Sequence, residues 1–177
     1  MHRAEAATKA LHQFSFTART TLDAKQTVRS KLSGRVVNGR GVAYQLSVNG
    51  KRTQVIRIRR ATYVRQVPGG WSKLVKPRAV VHPTATLEAL LHGMTPTFVS
   101  HPGNKTRVVG MLAADAAKAA GVPVSGAPAR AVVIMDKQAR VVSLSLRSTA
   151  TAGNRNVRLV VVTHYGSFDH VTPITRP

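Results

Sequence analysis

The sequence predicts an α+β fold in which a large, curved antiparallel sheet carries short helices on its concave face. Three observations predict it. Apolar and polar residues alternate with a period of two over most of the chain, the spacing of strands with one face buried. Asn38-Gly39 and Asn49-Gly50 interrupt such stretches and favour two-residue hairpins, because both central positions of a type I′ turn need positive φ. A few short segments switch to helical spacing, most clearly 84–93, where Leu87, Leu90, Leu91 and Met94 fall at i, i+3, i+4 and i+7.

The first element, 4–11, is rich in helix formers, and Ala7, Leu11 and Phe14 share one helical face, which predicts a short helix, 3–12 at its widest, packed on the sheet. The period then becomes two. Phe14, Phe16, Ala18 and Leu22 alternate with Ser15, Thr17, Arg19 and Thr21, and Val28, Leu32 and Val36 with Arg29, Lys31 and Arg35. Val42, Tyr44, Leu46 and Val48 alternate with Ala43, Gln45 and Ser47, so 13–60 reads as an antiparallel meander with one apolar and one basic-polar face. In the strand at 53–59, Val55 and Ile56 are both apolar, which leaves its facing unassigned. A further hairpin runs from 61–67 through Pro68-Gly69-Gly70 to 71–75.

Pro83 precedes the Leu-rich helix and Gly93 reads as its C-terminal cap. A second helical turn begins near Asp115, read as an N-cap, and ends at Gly121 with Pro123 beyond. Strands are expected at about 96–101, 105–112, 130–136, 140–147 and 157–165, with a last extended piece near 170–175. That makes ten or eleven strands and three short helices, and with no repeat, linker or shift in composition, 1–177 is expected to be one domain. A sheet of this size curls, and helices closing it enclose an apolar volume that either side chains fill or a ligand occupies.

The chain has 177 residues, 43% of them hydrophobic, enough for a substantial core. Its 27 Lys and Arg against 6 Asp and Glu give a net charge of +21, which attracts anionic polymers and anionic lipid headgroups without specifying either. The cations are spread through the strand segments, as on the outer face of a folded sheet. There is no cysteine, hence no disulfide and no thiolate metal site. The longest apolar run, near 159–163, is far too short for a spanning helix. Met1-His2-Arg3 is not followed by a hydrophobic signal core, which leaves a cytosolic chain and a mature exported domain both open.

Enzyme chemistry finds little support. The carboxylates are Glu5, Asp23, Glu88, Asp115, Asp136 and Asp169, of which Asp115 and Asp136 sit where cap and turn chemistry accounts for them. The histidines show no HxH or HExxH spacing: His82 and His92 flank the Leu-rich helix, and His164 and His170 straddle an aromatic pair. Gly39-Arg40-Gly41 lacks the strand-to-helix setting of a phosphate loop, and Gly166-Ser167 the flanks of a nucleophile elbow. No catalytic residue, metal or cofactor is expected. Aromatics are only 5% of the chain and no helix-turn-helix or RNP-like pattern occurs, so nucleic acid is not the expected partner. The candidate site is an apolar cavity lined by Phe14, Phe16, Leu32, Tyr44 and Leu46 on strands and Leu87, Leu90, Leu91 and Met94 on the helix, a lining that suits acyl chains.

The order of segments resembles the LppX/LprG-type envelope lipoproteins, relatives of the LolA-type lipoprotein carriers. The likeness runs over nearly the whole chain: the opening helix into FSFTA (14–18), YVRQVPGGWSKL (63–74), the Leu-rich helix, the step from VVG (108–110) to the Ala-rich helix, AVVIMDKQARVVSLSL (131–146) with Asp136 at its turn, and Tyr165-Gly166-Ser167-Phe168 running on to Pro173 and Pro177. Order and spacing carry the match. The resemblance implies a half-open antiparallel barrel with helices across its mouth, a lipid or acylated ligand in the cavity, no enzymatic activity, and a place in the extracytoplasmic cell envelope. The chain departs from it in its charge and in having no lipobox cysteine. A monomer is expected, with an anionic membrane or cell-wall surface as a further partner. Two other readings stand beside the carrier: a basic polyanion or nucleic-acid binding module, and an envelope sensor or scaffold whose core is filled.

Overall fold

The structure, a computed structural model, describes residues 1–37, 41–75, 83–119, 128–152 and 155–177. Eleven strands and three helices follow in the order α1 (His2–Ala10), β1 (Gln13–Asp23), β2 (Thr27–Val37), β3 (Gly41–Val48), β4 (Lys51–Ile58), β5 (Ala61–Val67), β6 (Ser72–Lys73), α2 (Pro83–Gly93), β7 (Met94–Ser100), β8 (Thr106–Leu112), α3 (Ala114–Ala119), β9 (Ala129–Met135), β10 (Val141–Ala152) and β11 (Arg155–Gly166). All strands belong to one curved, unclosed antiparallel sheet in the order β6-β5-β4-β3-β2-β1-β11-β10-β9-β8-β7. It is two meanders, β1–β6 and β7–β11, laid edge to edge along a central seam where the first strand pairs with the last.

Register assigns the two faces. Phe16 lies opposite Tyr165, Ala18 opposite Thr163 and Leu22 opposite Leu159, while Leu144, Leu146 and Val133 continue that face outward through β10 and β9. All three helices lie on it. Leu87, Leu90 and Leu91 of α2, Met94 at the start of β7, Ala4 of α1 and Ala117 of α3 pack in one cluster with Val108, Leu112, Val133, Leu144, Leu146 and Leu159. Register also settles the strand left unassigned: Val55, opposite Tyr44, faces the helices and is buried, whereas Ile56, opposite Ala43, is on the bare face.

The bare face carries many of the cations. Arg19 stands directly opposite Lys31, and Arg130 opposite Arg147. Like charges so placed repel, each by a few tenths of a kcal/mol up to ~1 kcal/mol. His2 stands 4.0 Å from Glu5, and Arg140 pairs with Asp136 at 2.8 Å; neither pair involves these cations.

Local chemistry explains most boundaries. Asn49 and Gly50 adopt φ of 47° and 85°, as a type I′ hairpin requires; the other expected turn, Asn38-Gly39, and His82, Gly121 and Pro123 lie outside the described residues. Both sheet edges are blunted: β6 is two residues long and ends in Lys73, and β7 contains Pro96 and an irregularity between Pro96 and Phe98.

Five local expectations differ from the structure. Met94, whose spacing put it on the helix with Leu87, Leu90 and Leu91, is the first residue of β7, because the chain leaves the helix at Gly93 and pairs at once with β8. The first helix ends at Ala10, Leu11 is extended and Phe14 belongs to β1, so the helix buries Ala4 and Thr8 rather than a face shared by Ala7, Leu11 and Phe14. Thr8 Oγ1 donates to the Ala4 carbonyl at 2.7 Å, which satisfies the buried hydroxyl and explains why a polar residue holds that place. Gly93 is the last residue of α2, and a side chain there would run into Ala116 Cβ, so its smallness serves the contact between α2 and α3. Asp115 lies inside the first turn of α3, where its charge complements the helix dipole, instead of capping it. The stretch after β11 forms no strand; Asp169 N donates to the Gln13 carbonyl at 2.9 Å and Arg35 Nη2 to the Pro173 carbonyl at 3.4 Å.

Candidate functional site

The nine residues predicted to line an apolar cavity share the helix-bearing face but divide between two clusters. Leu87, Leu90, Leu91 and Met94 are 1%, 4%, 1% and 5% exposed and belong to the cluster that α2 forms with β8–β11. Phe14 and Phe16 are 1% and 3% exposed and form a second cluster with Leu11, just before β1, and Val36 and Val42 on β2 and β3. Leu32 and Tyr44 lie on the margin of that second cluster, half-buried, and Leu46 is half-buried and part of neither.

Why the strands present them so is a matter of register. Leu46 is the partner of Leu32, and Tyr44 and Phe16 flank Gly34 from either side. A Cβ on Gly34 would come within 2.8 Å of Phe16 Cζ and 2.6 Å of Tyr44 Cβ, so the glycine is what lets two aromatic rings share that row. Beyond them, Leu22 lies opposite Val28 and Val48 opposite Ser30, all half-buried on the helix side, with the polar pair Thr20 and Ser30 between these rows and Leu22 packed against the helix cluster.

One residue that the sequence reading left out of the site joins the clusters. Tyr165, at the seam, packs against both, stands opposite Phe16, and holds its ring edge-on to Phe14 at 5.9 Å. Burial pushes its hydroxyl well above the ordinary tyrosine range, against the smaller opposing effect of a hydrogen bond with Thr163. Burial also raises Tyr44. The signal available in the sequence was the alternation Leu159, Val161, Thr163, Tyr165, which puts the ring on the same face as Leu159; nothing in it says that β11 lands beside β1.

Polar chemistry lies elsewhere. Asp136 is engaged within its own turn: Oδ1 accepts from the amides of Gln138 and Arg140 at 2.9 and 3.0 Å, and Oδ2 from Arg140 Nε at 2.8 Å. Partial burial tends to raise its pKa, and the hydrogen bonds and the guanidinium together outweigh that and hold it below the usual carboxylate range. Among the described residues no three His, Asp or Glu side chains converge as a metal site would need. No described helix is long and apolar enough to cross a membrane.

A cavity of about 520 Å³ opens on the bare face, floored by β1–β4 and bordered by Trp71 and by Ser167, His170, Val171 and Thr172 of the C-terminal segment. Of the nine predicted residues, Tyr44 alone touches it.

The chain matches no protein-family model and no curated protein. Among solved structures it is similar to a LolA superfamily protein from Nitrosomonas europaea, at 8% identity over 94% of this chain and 89% of that one with a TM-score of 0.32. It is similar to a DUF1329 family protein from Desulfovibrio piger, at 11% identity over 95% and 91% with a TM-score of 0.31. A putative outer membrane lipoprotein-sorting protein domain from Vibrio parahaemolyticus shares 8% identity over 94% and 88% with a TM-score of 0.29.

Proposed function

We propose that this chain is a non-catalytic cell-envelope domain that holds a lipid or acylated molecule against the helix-bearing face of its N-terminal half, for carriage or transfer. The supporting observation is the set of half-buried apolar residues Leu32, Tyr44 and Leu46, with Val28 and Val48 nearby, on the same face as the helices but outside the cluster they form. Phe14 and Phe16 wall its inner end, and Leu87, Leu90, Leu91 and Met94 are the packed backing beyond the seam. An acyl chain needs volume and few directed hydrogen bonds, and covering this strip removes apolar surface from water at about 25 cal/mol per Å². A place outside the cytoplasmic membrane follows from the sequence resemblance and is checked by fractionating the native host.

Native mass spectrometry of protein purified from a membrane-containing host tests the reading, with fluorescent fatty-acid titration of the parent and of Leu46→Arg alongside. Lipid adducts, and an acid affinity that the arginine lowers about tenfold by placing a charge in the strip, are the expected results. Protein that arrives without lipid and takes up no fatty acid defeats the carrier reading. What then remains is the sensor or scaffold with a filled core, which the near-complete burial of Leu87 and Leu91 favours.

A further inference from the structure

The cavity on the bare face is lined by hydrogen-bond donors arranged in a fixed direction. Arg65 Nε donates to Gln54 Oε1 at 2.6 Å, and Gln54 Nε2 donates to Gln45 Oε1 at 2.9 Å. A guanidinium has no acceptor, so Arg65 fixes the sense of the chain: Gln54 must turn its oxygen to Arg65 and its amide nitrogen to Gln45. Gln45 then accepts through its oxygen and is left with its amide nitrogen as the free end. Arg65 is itself held in place, stacked 4.9 Å from the centroid of Trp71. Both Gln45 and Trp71 line the cavity.

A second donor ends there. Arg35 gives Nη2 to the Pro173 carbonyl, but its Nε is buried without a partner in a side chain that also lines the cavity. A buried donor left unmade costs about 1–3 kcal/mol, so a guanidinium edge in this state is suited to an acceptor that arrives from outside. Gln54, Tyr44, the serine and threonine hydroxyls and the ring of His170 add further polar lining, with Ile56, Val171 and Trp71 as apolar walls; no carboxylate borders it. Asp169, the nearest in sequence, is exposed and outside the lining.

We propose that this cavity binds a small oxyanion, a carboxylate or phosphate group on a compact molecule, with Arg35 and Gln45 as its donors. The site lies on the opposite face of the sheet from the apolar strip, and Tyr44 alone belongs to both. An oxyanion offers acceptor lone pairs to both donors at once, and charge-assisted hydrogen bonds of this kind are the stronger ones. Its selectivity comes from directed donors, in contrast to the diffuse attraction of the surrounding cations.

Isothermal titration with inorganic phosphate and with benzoate, at about 0.15 M salt where exposed charges are screened beyond about 8 Å, reads the site out. Gln45→Glu keeps an acceptor for Gln54 and replaces the outward donor with an acceptor; Arg35→Lys keeps the charge and removes Nε. Arg147→Gln is the control, changing net charge by as much as Gln45→Glu does, at an exposed position far from the cavity. Saturable binding of one probe by the parent, weakened about tenfold in Gln45→Glu and Arg35→Lys and less than about twofold in Arg147→Gln, is the expected result. No saturable binding of either probe, unchanged affinity in both cavity variants, or an equal loss in Arg147→Gln overturns the proposal. Thermal unfolding of each variant accompanies the titrations, and if one cavity variant fails to fold the other decides.

Discussion

The two meanders of the sheet are written in the same alternating rhythm and end in different states. In β7–β11 the helix-side row, Leu112, Val133, Leu144 and Leu146, disappears under α2. In β2 and β3 the corresponding row, Leu32, Tyr44 and Leu46, stays half-buried. Connections account for the difference. α2 leads into β7, and α3 lies between β8 and β9, so the C-terminal meander brings its own cover. In the N-terminal meander the connections that the structure describes are tight, such as Asn49-Gly50, and a two-residue turn has no room for a helix. Alternation in sequence therefore reports which face is apolar, while loop length reports whether that face is covered.

The largest expected effect that sharpens this contrast is a truncation made once in each half. Leu91→Ala, deep under α2, should cost about 2–5 kcal/mol in chemical denaturation, whereas Leu46→Ala, in neither cluster, should cost under about 1.5 kcal/mol. Equal losses would erase the distinction between the halves. Overpacking comes next: Leu91→Trp should cost about 1–3 kcal/mol, since the site is already filled, and fatty-acid uptake on the other half should survive it. If Leu91→Trp leaves stability intact and abolishes uptake instead, the ligand space lies under α2 and the halves have been assigned the wrong way round.

A smaller effect concerns the seam. Tyr165 and Tyr44 both hold their protons more tightly in the folded chain than in the unfolded one. Above about pH 10, where unfolded tyrosine ionises, the folded state binds more protons, so stability is full below that pH and falls as pH rises past it. Tyr165→Phe should flatten the alkaline loss more than Tyr44→Phe; the reverse order would place the more enclosed ring in the N-terminal half. Smallest is the Asp136 turn. Its folded pKa is depressed, so its contribution is present above the ordinary aspartate range and is lost as pH falls through the folded value. Arg140→Gln should cost about 0.2–1 kcal/mol at neutral pH, read from denaturant midpoints, and reduce that acid sensitivity.

Much of this architecture was legible in the residues. Alternation located the strands and the Leu-rich stretch located α2, because burial of one face imposes period on composition. The pairing of β1 with β11 was not legible, since no local signal names a partner so far along the chain. It is this pairing that decides the company of Phe14 and Phe16: they pack with Tyr165 at the seam, while Leu87 and Leu91 pack further out. The cavity on the bare face was hidden for a related reason. Gln45, Gln54 and Arg65 are unremarkable polar positions on three strands, and only register aligns them into one directed chain. The fate of the C-terminal segment depends on two hydrogen bonds to β1 and β2 that leave no pattern in its composition.

The central seam also sets an order of events for a chain made from its N-terminus. β1 to β6 can zip as successive hairpins while synthesis continues, but β1 is left with an unpaired edge until its partner, the last strand of all, has been made. Until then Phe16 lacks Tyr165 and a long row of backbone donors and acceptors stands open to any neighbouring strand. Contacts of such sequence separation form slowly. The nascent N-terminal meander is therefore the species most exposed to strand addition from another molecule, and its edge is protected only once β11 has been made.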